Sequence, residues 1–208
     1  MAKAFLSATQ FKVTIDKAAL LKEVTAGRNG KVTGREIRKY VLPIIEEARR
    51  DLIRDFANHP VTKEIEGGAS SSNSSATLGG YGNLFSFIGF ERGDDPISSV
   101  KSILNNRLNV RVRAVGRGRF RITMMNAPSK EEIFAVTPIP WASGSSWAEG
   151  IEKGISNLGS FLYRERGIST SRSGTGIQIK NTLRGSSFKT KPYISKMMDK
   201  FLKNVINF

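Results

Sequence analysis

Near the start of the chain, Phe11, Val13 and Ile15 alternate with Lys12 and Thr14, which predicts a short half-buried strand. Asp16 then caps a brief helical stretch over 17–24, and the glycines at 27 and 30 mark a turn. The period changes after that turn. Ile37, Val41, Ile44, Ala48, Leu52 and Phe56 fall on one face of a helix running to Asn58, with Thr33 and Glu36 forming a capping box at its start. Pro43 removes the hydrogen bond to the carbonyl of Lys39, so the helix is expected to kink there or to begin late. His59 precedes Pro60 and should end it, because the residue before proline disfavours helical angles.

Residues 67–82 are rich in Gly, Ser and Asn and bury too little to order themselves, so a flexible arm is expected there. Asn83 to Phe90 predicts an aromatic strand, followed by a turn over 91–95 and a helix opening at Asp95-Pro96, with Ile97, Val100, Ile103 and Leu104 on one face. Leu108, Val110, Val112 and Ala114 alternate with polar residues, as do Phe120, Ile122 and Met124. With the turn at Gly116 to Gly118 these two runs predict a β-hairpin, apolar on one face and arginine-rich on the other. Ser129 with Glu132 caps a short helix, and Thr137 to Trp141 must be extended because two prolines one residue apart forbid a helix. Ser146 with Glu149 is a further capping box, opening a helix whose inner face is Trp147, Ile151, Ile155, Leu158 and Leu162. Ile177 and Ile179 suggest a strand, and Pro192 starts a terminal helix with Ile194, Met197, Phe201, Leu202 and Val205 inward. There is no internal repeat and no sharp linker. The expected fold is a single α+β domain over 1–208: a long kinked N-terminal helix packed on a small, mostly antiparallel sheet that contains the Arg-rich hairpin, with further helices and long loops.

Composition supports a packed core, since 39% of the 208 residues are hydrophobic and 12 are Phe. With no cysteine, disulfides, thiolate nucleophiles and Cys-ligated metals are excluded. No apolar run approaches the ~20 residues a membrane span needs, nor does a signal peptide stand out, so a soluble, cytoplasm-made protein without a membrane partner is expected. The net charge of +15 sits unevenly: residues 1–100 carry 14 Lys/Arg against 12 Asp/Glu, and residues 101–208 carry 19 against 6. Such asymmetry points to a polyanion or an acidic protein surface as partner.

The hairpin concentrates that charge. Arg107, Arg111, Arg113, Arg117, Arg119 and Arg121 occur within 15 residues that contain no acid. Like charges on paired strands oppose one another, and a phosphate backbone or a carboxylate-rich surface would neutralise them through the guanidinium fork. The plainer alternative is a solvated arginine face. Arg111, Arg113, Arg117, Arg119 and Arg121 are the candidate contacts to such a partner. The aromatics Phe85, Phe87, Phe90, Trp141 and Trp147 are either core or subunit-interface anchors.

Catalytic chemistry finds little support. His59 is the sole histidine, and beside Pro60 at a helix end it reads as structural rather than as a general base. Glu46, Glu47, Asp51 and Asp55 share a helix with Arg49, Arg50 and Arg54, where pairing one turn apart accounts for them, and Asp94 with Asp95 reads as turn and cap. The stretch from Gly27 to Val32 resembles a phosphate loop only superficially, because Val32 stands where Ser or Thr would meet magnesium. The expectation is no enzyme, no cofactor and no metal. The basic tail matches no sequence-reading nucleic-acid motif, which leaves nonspecific phosphate contact as the alternative function.

The order of these features, with the phrases His59-Pro-Val-Thr-Lys-Glu-Ile65, Gly82-Asn-Leu-Phe-Ser-Phe-Ile-Gly-Phe90 and Pro140-Trp-Ala-Ser-Gly-Ser-Ser-Trp147, resembles the neck and tail-completion proteins of tailed bacteriophages. The resemblance is one of order across most of the chain rather than of a diagnostic motif, and the second half is longer than in minimal members. It implies a virion structural protein made in the host cytoplasm. Such a subunit forms a homo-oligomeric ring, a hexamer or dodecamer, between head and tail. It would contact portal, adaptor or tail-terminator proteins and packaged DNA, with no catalytic residues to carry over.

Overall fold

The computed structural model describes residues 4–7, 10–15, 33–78, 82–106, 108–116, 119–140, 142–154 and 188–206. The predicted helix over 17–24, the strand at Ile177 and Ile179, and the far end of the helix expected to reach Leu162 lie outside the described residues. The architecture is α+β. The chain groups into two compact units, one built from Met1–Ile53, Leu104–Ser129 and Met198–Phe208, the other from Arg54–Ile103 and Lys130–Met197.

The first unit holds a four-stranded antiparallel sheet of β1 (Ala4–Ser7), β2 (Gln10–Ile15), β3 (Asn109–Gly116) and β4 (Arg119–Met125), in the order β1-β2-β4-β3. Alternation explains its inner face: Val110, Ile122 and Met124 are buried, while Arg111, Arg113 and Arg121 are exposed. The long helix α1 (Gly34–Asn58) begins over this sheet, where a Cβ at Gly34 would come within 3.3 Å of the Val112 carbonyl oxygen. Its capping box forms as expected: the Thr33 N–H donates to Glu36 Oε2 at 2.9 Å and the Glu36 N–H to Thr33 Oγ1 at 3.4 Å. Pro43 stands on the exposed side with the helix continuing past it in both directions, so the helix does not begin late. The buried stripe is Ile37, Val41, Ile45, Ala48, Leu52 and Phe56; Ile45 replaces the expected Ile44, which is half-buried.

In the second unit His59 ends α1 but starts another helix at once. Extended at φ −64° and ψ 135°, it accepts the Val61 N–H on its Nδ1 at 3.3 Å, and Pro60 fills the first position of α2 (Pro60–Glu66). Composition alone predicts a flexible arm next, yet over residues 67–78 hydrogen bonds from the rest of the unit hold the backbone. Gly68–Ser70 form a 3-10 turn, and the Glu64 carboxylate, fully buried, accepts the Ser75 N–H and the Leu84 N–H at 2.8 Å each. Leu78 bridges Phe188, and Lys189 N–H donates to the Thr77 carbonyl at 2.8 Å.

The strand expected at 83–90 is instead a helix, α3 (Leu84–Ile88). Asn83 Oδ1 caps it by accepting the Ser86 N–H at 2.9 Å, and Gly89 closes it in the left-handed region at φ 90° with the Phe90 N–H reaching back to the Phe85 carbonyl. Two cap residues bracketing five apolar-rich positions outweigh a strand preference that finds no partner strand among the described residues. Asp95 Oδ1 accepts the Ser98 N–H at 3.1 Å and opens α4 (Pro96–Asn105).

After α5 (Lys130–Ala135), the extended Pro138–Ile139 forms β5, paired antiparallel with β6 (Ala142–Ser146). Ser146 Oγ then caps α6 (Trp147–Lys153). The terminal helix α7 (Ile194–Ile206) buries Ile194, Met197, Met198, Phe201 and Val205, and Leu202 is only half-buried. No helix among the described residues is long and apolar enough to cross a membrane.

Candidate functional site

The exposed face of the β3–β4 hairpin carries three of the predicted cations, Arg111, Arg113 and Arg121. Arg113 on β3 pairs with Arg121 on β4, and Arg111 pairs with Thr123. The register then continues across β4 to β2, where Thr14 stands opposite Arg121 and Lys12 opposite Thr123. Two rows result, Thr14–Arg121–Arg113 and Lys12–Thr123–Arg111. Strands lie about 4.8 Å apart and alternate residues about 7 Å apart, so the three exposed arginines fall within a patch roughly 10 Å across. Among the described residues no carboxylate pairs with Arg111, Arg113 or Arg121.

Arg119 occupies β4 opposite Gly116, beyond the register shift that follows Ala114. Arg117 and Arg107, like Trp141, lie outside the described residues. Lys12 occupies the register position opposite Thr123, in a strand predicted correctly, and only the pairing of β2 with β4 brings that position into line with the hairpin.

The aromatic candidates divide differently. Phe85, Phe90 and Trp147 are buried, with ring centroids 5.3 Å apart for Phe85 and Phe90 and 6.2 Å for Phe90 and Trp147. They fill the core of the second unit and offer no surface to a neighbour. Phe87 is half-buried and stacks on Phe188 at 5.6 Å. The same core runs on through Tyr193, 6.3 Å from Trp147 and 4.8 Å from the His59 ring, and its hydroxyl meets Thr62 Oγ1 at 2.7 Å. Burial pushes the Tyr193 phenol well above its ordinary value, and burial lowers His59, against a hydrogen bond to the backbone of Pro192 that raises it.

Of the carboxylates named earlier, Glu46, Asp51, Asp55, Asp94 and Asp95 have structural partners. Arg49 Nε donates to Glu46 Oε2 at 3.1 Å, and Asp94 Oδ2 accepts the Glu91 N–H at 2.7 Å in the turn before α4. Among the described residues no cluster of three or more metal-ligating side chains forms. No family model, curated protein or solved structure matches this chain.

Proposed function

We propose that the chain is an assembly subunit, a virion structural protein of a phage neck or tail connector that forms a ring between head and tail and acts by packing and charge rather than by catalysis. The single observation that supports this reading is the Arg113–Arg121 pair, two exposed cations held face to face with no described carboxylate to balance them. Such a pair weakens an isolated sheet and becomes favourable only against an anionic neighbour. The resemblance in element order to phage neck proteins supplies the setting. Replacing Arg111, Arg113, Arg119 and Arg121 together by Ser tests it: the subunit stays folded while joining of heads to tails is lost. Normal particle yield with the fourfold variant overturns the reading.

A further inference from the structure

We propose that the exposed face of the β3–β4 hairpin binds the phosphodiester backbone of duplex nucleic acid without reading its sequence, through Arg111, Arg113 and Arg121 with Thr123 beside them. This rests on reading the face as an anion-binding surface and names the anion.

Three observations favour phosphate over an acidic protein. Protein interfaces are built round a desolvated apolar or aromatic core with charges at the rim. Here the described exposed positions of β3 and β4 are charged or polar at their centre, and the only large exposed hydrophobic residues among those described, Tyr40 and Val136, lie elsewhere. Second, the cations lie in a plane without interspersed acids, which suits a continuous line of like charge. Third, Thr123 stands opposite Arg111 and two residues from Arg121 on β4, and a hydroxyl beside guanidinium groups is a common phosphate donor set. No aromatic side chain is exposed on β3 or β4 among those described, so base stacking is not offered.

The test is fluorescence anisotropy of the full chain with a labelled random-sequence DNA duplex, and in parallel with labelled polyglutamate. Three phosphate contacts give a log–log salt slope of about −2.7, hence a roughly fortyfold loss of affinity between about 50 and about 200 mM salt. The Arg111→Ser/Arg113→Ser/Arg121→Ser variant removes nearly all of that slope and Arg121→Ser alone reduces it by about one. The single variant keeps the test valid should the triple fail to fold, and Arg121→Lys should keep the wild-type slope. Absence of duplex binding at low salt, or a slope untouched by Arg121→Ser, overturns the proposal. Binding of polyglutamate without duplex also overturns it, while leaving the assembly reading standing with an acidic protein as the partner.

Discussion

Arg113 and Arg121 stand directly opposite each other on paired strands, both in solvent. Directly opposed like charges destabilise a sheet, whereas Thr suits an exposed strand position. Arg113→Thr should therefore raise the stability of the free chain by about 0.5 kcal/mol at low salt, read from the urea midpoint. The gain should shrink as salt screens the pair and reverse when saturating duplex DNA is present, because the ligand stabilises the wild type more. A variant less stable than wild type at low salt would contradict a repulsive pair.

Glu64 holds two backbone N–H groups that are far apart in sequence, at Ser75 and Leu84. Glu64→Ala leaves both donors buried without an acceptor, and each orphan costs roughly 1–3 kcal/mol, so a loss of about 3 kcal/mol or more is expected. Glu64→Gln keeps one acceptor oxygen and should cost about half as much. Chemical denaturation of the two variants checks the order; equal and small effects would show that the carboxylate does not hold the segment.

Tyr193 and Thr62 share one buried hydrogen bond. Tyr193→Phe or Thr62→Val alone leaves its partner unsatisfied and should cost about 1–2 kcal/mol, while the double variant should cost little more than either single one. A double-mutant cycle measures this coupling, and strictly additive losses would refute it.

How much of this was legible in the sequence depended on whether a residue's role is local. The Thr33–Glu36 box, the Asp95 cap, the extension at Pro138 and the two strands of the hairpin are set by neighbours within a few positions, and all could be read directly, whereas the register shift after Ala114 could not. Ile44 and Ile45 could not be told apart, because Val41 and Ala48 are spaced from either by three or four residues. The Leu84–Ile88 helix was misread because the Phe-Ser-Phe alternation masked the signal that decides it, an Asn and a Gly six positions apart acting as caps. Lys12 was visible as a strand residue, yet its register position opposite Thr123 follows from a pairing between segments more than a hundred residues apart. The aromatic candidates show the same limit: nothing in the sequence separates a buried Phe90 from a half-buried Phe87, since only the fold decides which one meets Trp147.

His59 gives the pH dependence. Its folded value is lowered from the ordinary 6.5 by burial, so the unfolded chain binds the proton more readily. The contribution is fully present above that ordinary value and is lost as pH falls from it through the lowered folded value. His59→Asn, which keeps an N-cap acceptor before Pro60, should flatten the stability profile on the acid side of 6.5. Urea midpoints of both proteins across this range provide the check, and an unchanged slope would mean that His59 does not carry the effect.

The most direct test of the central claim is the native mass of the purified full chain, measured across salt concentrations together with the identity of any chains that co-purify. A closed ring gives an integral multiple of 22.9 kDa when alone, and that multiple plus the partners' own mass when acidic or nucleic-acid partners are attached. A species that stays at 22.9 kDa under every condition and turns over a small molecule would contradict the account.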